Sequence, residues 1–209
     1  MYTLLHSIID FFLPKRCIGC QQVRSAVHYG FCADCAERII PAGPGGNGAH
    51  HLARYEGPVA TAIRTFKYSR VRWISLPFAR WMHQYLVSHP EIEFDCIIPV
   101  PLHWRKEFVR TFNQSHLIAA NLSRLLNVQL MSRVLIRTRN TRSQTGLDHR
   151  ARAENVKGAF TVADQKRVKG RSVLLIDDVL TTGATALEAK RALRRAGAKS
   201  VTIITIAKA

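Results

Sequence analysis

Val173-Leu-Leu-Ile-Asp-Asp-Val-Leu-Thr-Thr-Gly-Ala-Thr185 joins an apolar run, two acids and a loop of small residues without interruption. Val173 to Ile176 shows no alternation, the pattern of a strand covered on both faces in a parallel sheet. Asp177 and Asp178 then fall at the carboxyl end of that strand, where open α/β sheets receive ligands. Two adjacent carboxylates there can accept hydrogen bonds from the vicinal hydroxyls of a sugar. Thr181, Thr182, Gly183, Ala184 and Thr185 put little bulk between backbone and ligand. Their N–H groups and hydroxyls, with the start of the next helix, make a nest for a phosphate. The loop lacks the lysine of a P-loop, and no G-x-G-x-x-G spacing marks a dinucleotide fold.

Beyond the loop, Ala186, Ala189, Leu193 and Ala196 share one helical face, opposite Lys190, Arg191, Arg194 and Arg195. Thr185-x-x-Glu188 has capping-box spacing, Gly197 stops the helix, and Val201 to Ala207 reads as a final strand. Upstream, Asp95 to Pro101 reads as a second buried strand ended by prolines. Leu102 to Ser115 follows as a basic loop carrying Arg105, Lys106 and Arg110, either a solvated loop or a pyrophosphate-holding one. Leu117, Ile118, Leu122, Leu125 and Leu126 then recur at helix spacing up to Asn127. Between Ile136 and Phe160 the chain is polar and cationic, which reads as a mobile lid. Arg137, Arg139, Arg142, Arg150 and Arg152 face only Asp148 and Glu154 there. Folding over a pyrophosphate or lying along a nucleic-acid backbone would neutralise them. No aromatic residue interleaves these cations, which argues against a single-strand stacking platform.

Toward the N-terminus, Val59, Ala62, Ile63 and Phe66 predict one helix, and Ile74, Phe78, Trp81, Met82 and Tyr85 predict another. Lys67, at the end of the first, is a solvated helix-end cation or a group aimed at a ligand. Pro41-Ala-Gly-Pro-Gly-Gly-Asn-Gly48 has the composition of a linker, and places a domain boundary between 1–48 and 49–209. Cys17-Ile-Gly-Cys20 and Cys32-Ala-Asp-Cys35 are C-x-x-C pairs separated by eleven residues. Four thiolates at that spacing, with no open position, point to a structural zinc ion. His28 is expected at the surface, and the lone Cys96 in the core.

The 209 residues suffice for one domain of ordinary size plus a small subdomain, and 47% hydrophobic content suffices for a core. A formal charge of +17 favours an anionic partner, whether a nucleic acid or a phosphorylated metabolite. The run Leu4 to Leu13 is broken by His6 and Asp10, too short for a membrane span, and without a basic leader or cleavage site. It is expected as an amphipathic helix or strand in a cytoplasmic protein.

The Asp177 to Thr185 signature resembles that of the phosphoribosyltransferases that bind phosphoribosyl pyrophosphate (PRPP). Further segments resemble the ComF family of competence-associated, phosphoribosyltransferase-like proteins, and stand in that family's order. These are the four-cysteine knuckle, Phe66-Lys67-Tyr68, Ile98 to Leu102, Phe112-Asn-Gln114, Gln144 to Leu147, and Arg152 to Phe160. The resemblance implies an α/β phosphoribosyltransferase-type fold, with a largely parallel central sheet flanked by helices and a small N-terminal zinc-binding subdomain. It implies ribose binding by Asp177 and Asp178, and 5′-phosphate binding by Thr181 to Thr185. Lys67, Pro101, Leu102, Arg105, Lys106 and Arg110 are expected around the pyrophosphate, and Arg137, Arg139 and Arg142 in a flexible hood. Magnesium is expected with PRPP, and single-stranded DNA and DNA-processing proteins are the expected macromolecular partners. The alternative reading is a noncatalytic adaptor that senses PRPP or a nucleotide and binds single-stranded DNA or a helicase-like partner.

Overall fold

The structure, a computed structural model, describes residues 16–25, 28–69, 71–103, 111–139 and 149–209, with backbone alone at 149, 150, 152 and 153. The Leu4 to Leu13 run, Arg105, Lys106, Arg110 and Arg142 lie outside the described residues. The described elements are α1 (Ala33–Glu37), β1 (Pro41–Gly45), β2 (Ala49–Arg54), α2 (Gly57–Tyr68), α3 (Ser75–Val87), β3 (Cys96–Pro99) and α4 (Gln114–Leu126). They continue with β4 (Gln129–Leu130), β5 (Leu135–Arg137), α5 (His149–Val156), β6 (Phe160–Val162), β7 (Ser172–Leu180), α6 (Ala184–Arg195) and β8 (Ser200–Lys208).

A six-stranded sheet in the order β1-β2-β8-β7-β3-β4 forms the centre. All of its pairings are parallel except β1 with β2. The apolar run of β7 is central because it packs on both faces. Leu174 and Ile176 join a core with α2, α3, α4 and the cysteine segment, while Val173 and Leu175 join a second core with α6 and the β5–β6 ribbon. Removing water from such a side chain contributes about 1.5–3 kcal/mol, so the two cores fix β7 from opposite sides.

The linker-like stretch from Pro41 is not free chain. Pro41 to Gly45 forms an antiparallel edge strand on β2, where proline is tolerated because one side of the strand bonds no neighbour. Strand β7 also runs further than its apolar run suggests, pairing with β8 as far as Leu180, whereas its other neighbour β3 ends opposite Ile176. The two acids therefore lie within β7 but beyond the end of β3, on an edge left open to ligand. Among the described residues, no helix is long and apolar enough to cross a membrane.

Candidate functional site

Three elements converge on the acidic pair. From α2, Lys67 Nζ reaches Asp178 Oδ2 at 3.0 Å, with side chains only 19% and 10% exposed. Phe66, beside Lys67, is fully buried and packs its ring against Phe78 and Phe112. That aromatic cluster holds the end of α2 next to the chain entering α4. Lys67 is therefore an acid-paired, largely buried cation and not a freely solvated one.

From α4, Ser115 Oγ donates to Asp177 Oδ1 at 2.9 Å. Asn113 caps the helix by accepting from the His116 N–H at 3.3 Å, a role that asparagine fills well. Its amide also donates to the Val100 carbonyl at 3.1 Å, tying the first turn of α4 to the end of β3. Val100 N–H in turn donates to the Ile176 carbonyl. Pro101 and Leu102 therefore leave β3 beside the acids. Ser115 was not anticipated from sequence; an asparagine cap followed by a serine in the first turn was the available signal.

The third element is the β7–α6 connection. Gly183, not Thr185, caps α6, with φ 77°. That left-handed conformation is strained for other residues, and it turns the chain from strand into helix. The Ala184 N–H approaches Thr182 Oγ1 at 3.4 Å. The Thr181 to Thr185 loop therefore leads into a helix N-terminus just beyond the acids, a favourable place for phosphate.

Burial pushes the Asp177 carboxyl up to about 7, and the neighbouring charge of Asp178 adds to this. Ser115, Lys67 and the Asp178 N–H act in the opposite direction.

Arg137 and Arg139 stand at the start of the segment expected as a hood. Arg137 belongs to β5, paired with Phe160 of β6, is only 8% exposed, and holds its guanidinium over the Phe160 ring at 5.4 Å. Burial lowers its pKa, with the Asp177 charge opposing. Arg139 is exposed and donates to the Lys157 carbonyl at 2.6 Å. The capping-box expectation at Thr185 and Glu188 gives way. Glu188 is buried and accepts from the Gly158 N–H at 3.1 Å, Arg195 at 3.3 Å and Arg191 at 3.4 Å. Burial raises its pKa, but these donors bring the net shift below the ordinary value.

Away from the acids, Cys17, Cys20, Cys32 and Cys35 place all four Sγ atoms within 4.8 Å of one another, a group able to hold a metal ion. Cys17 Sγ accepts from the N–H groups of Gly19, Cys20 and Cys32. Burial raises its pKa, but these bonds bring it down to about 7. The cysteine segment packs in the same core as α2, and a Cβ on Gly19 would stand 2.8 Å from Pro58 Cβ. His28 is exposed and Cys96 fully buried, as expected.

Residues 113–209 match a family model described as phosphoribosyl transferase domain. The chain is 30% identical to Competence protein F of Haemophilus influenzae over 206 residues, covering 92% of this chain and 90% of that one. It is also 30% identical to DNA utilization protein YhgH of Escherichia coli K12 over 220 residues, covering 91% and 96%. Among solved structures, it is similar to part of the glutamine PRPP amidotransferase of B. subtilis, at 20% identity and a TM-score of 0.43, covering 63% of this chain and 26% of that one. This chain therefore belongs to the competence protein F (ComF) family, and carries a phosphoribosyl transferase domain.

Proposed function

We propose that this protein binds PRPP with Mg²⁺ at the open edge of β7, as a phosphoribosyltransferase-like component of DNA uptake. The observation that carries the reading is the convergence of Lys67 and Ser115 on Asp178 and Asp177, immediately before a glycine-capped helix. The acids accept from the ribose hydroxyls, and Thr181 to Thr185 take the 5′-phosphate. Lys67, with Pro101, Leu102 and the cations Arg105, Lys106 and Arg110, serves the pyrophosphate, and Arg139 and Arg142 belong to the hood. Arg137 adds a buried positive charge facing Asp177.

The carboxylate oxygens of Asp177 and Asp178 suit Mg²⁺, which takes oxygen ligands, keeps several waters and neutralises phosphate charge when bound. Departure of pyrophosphate from an anomeric carbon is favoured by cations placed at the leaving oxygens, the role assigned here to Lys67 and the basic loop. For the cysteine group we infer zinc. A Zn–S bond of about 2.3 Å implies tetrahedral sulfurs about 3.8 Å apart, and the Cys20 and Cys32 sulfurs lie 4.0 Å apart. A reduced thiol centre of this kind fits a cytoplasmic location. The names of the H. influenzae and E. coli relatives, a competence protein and a DNA utilization protein, support the link to DNA uptake.

The test is equilibrium binding of PRPP, ribose 5-phosphate and pyrophosphate, each with Mg²⁺. PRPP is expected to bind at least tenfold tighter than either half. Equal affinity for PRPP and pyrophosphate would reduce the site to a general anion pocket.

A second reading, the noncatalytic adaptor, is favoured by the outer face of α6. There Lys190, Arg191, Arg194 and Arg195, with Asn47 and Leu187, line a cavity of about 480 Å³. Like charges four apart destabilise a helix by about 0.2–0.5 kcal/mol per pair, which an anionic backbone would relieve. Anisotropy with a single-stranded oligonucleotide separates the readings. Asp177→Asn should abolish PRPP binding and leave DNA binding unchanged, whereas Lys190→Glu with Arg194→Glu should do the reverse.

A further inference from the structure

The four cysteine sulfurs are not equivalent. Cys17, Cys32 and Cys35 are buried, whereas Cys20 is exposed and lines an open groove of about 620 Å³ between the cysteine segment and the start of α2. Arg38, Arg64, Tyr55, Glu56 and Thr61 line the same groove, as does Cys35, which is itself buried. Cys17 Sγ spreads its charge over three N–H donors, which blunts it as a nucleophile. Among the described residues no N–H donates to Cys20 Sγ, and Cys32 Sγ lies 4.0 Å from it. Attack on an oxidant depends on access, and of the four cysteines Cys20 is the exposed one.

We propose that Cys20 is an oxidant-reactive thiolate, with Cys32 as its resolving partner, so that a hydroperoxide converts the cysteine group into a Cys20–Cys32 disulfide and releases its metal. In the first step Cys20 Sγ attacks the hydroperoxide. An S–O bond forms, the O–O bond breaks, and two sulfur electrons leave with the alkoxide or hydroxide, which takes up a proton. In the second step Cys32 Sγ attacks the sulfenic sulfur. An S–S bond forms, and hydroxide departs and takes up a second proton. Overall two thiolates are oxidised, and one hydroperoxide is reduced to water and its alcohol, or to two waters. The groove admits the oxidant, and Arg38 and Arg64 provide positive charge near the departing anion. Closure over 4.0 Å needs a shift of about 2 Å, since a disulfide S–S bond is about 2.05 Å long. Two of the four ligands are then lost.

The experiment adds hydrogen peroxide to the zinc-loaded full chain. Metal release is followed with a chromogenic chelator, and disulfides are mapped by mass spectrometry of peptides alkylated under denaturing conditions. About one zinc per chain is expected to leave together with formation of a Cys20–Cys32 link. Cys20→His keeps a tetrahedral cysteine-and-histidine ligand set and removes the accessible sulfur, so zinc should be retained and its release slowed at least tenfold. Release at the wild-type rate from Cys20→His, or a first disulfide that excludes Cys20, would overturn the proposal. If Cys20→His fails to fold, the wild-type disulfide map decides alone. None of these readouts depends on PRPP.

Discussion

Lys67 Nζ lies 3.0 Å from Asp178 Oδ2, so the last turn of α2 is joined by charge to the strand that carries the acidic pair. Lys67 also opposes the rise in the Asp177 pKa that burial and Asp178 cause. Lys67→Met should leave Asp178 as a nearly buried, unpaired charge. Removing one partner of a buried pair costs about 3–5 kcal/mol, and partial exposure reduces this to about 2 kcal/mol. Chemical denaturation should show that loss, and PRPP affinity should fall at least tenfold in calorimetry.

Asp177 gives the site a pH dependence. Its folded pKa of about 7 lies above the ordinary 3.8, so the folded protein holds this proton more tightly than the unfolded chain does. Its contribution to stability is complete below about 3.8 and is lost as pH rises through about 7. A ligand that binds the carboxylate must displace the proton. PRPP affinity in Mg²⁺ should therefore rise about tenfold per pH unit below about 7 and level off above it. Calorimetry in buffers of different ionisation enthalpy should detect the released proton at pH 6, and Asp177→Asn should remove that signal.

Gly183 holds φ 77° at the cap of α6, and an added Cβ would meet Leu187 only at an ordinary 3.4 Å. The cost of Gly183→Ala is thus conformational, about 1–2 kcal/mol for an L-residue in left-handed backbone. Thermal melts should show this loss, and affinity for PRPP should fall because the loop N–H groups shift.

Glu188 links α6 to the base of the 138–159 segment through the Gly158 N–H. Its pKa is held below the ordinary 4.5, so its contribution is present above about 4.5 and is lost as pH falls through its folded value. Hydrogen bonds to a charged group contribute about 1.5–3 kcal/mol. Glu188→Gln should destabilise the protein by roughly that amount at pH 7, with the difference from wild type shrinking in denaturation curves taken below pH 4.

The apolar run of β7, the cysteine spacing and the periodicity of α2, α3, α4 and α6 were legible because each is a local pattern imposed by burial. Pro41 to Gly45 was not, since its pairing depends on β2 and its small residues carry no strand pattern. The surroundings of Arg137 and Glu188 were not legible for the same reason. A charged side chain reveals nothing in sequence about the Phe160 ring or the Gly158 N–H that meets it in the fold. Lys67 was legible only as two alternatives. Choosing between them required the distance to Asp178.

The most direct test of PRPP binding at the acidic pair is calorimetric titration of PRPP, in Mg²⁺ at pH 7.5 or so, into wild-type protein and Asp178→Asn. One site per chain is expected in the wild type, with affinity reduced at least a hundredfold in the variant. Absence of binding to the wild type, or equal affinity in the two proteins, would contradict the account.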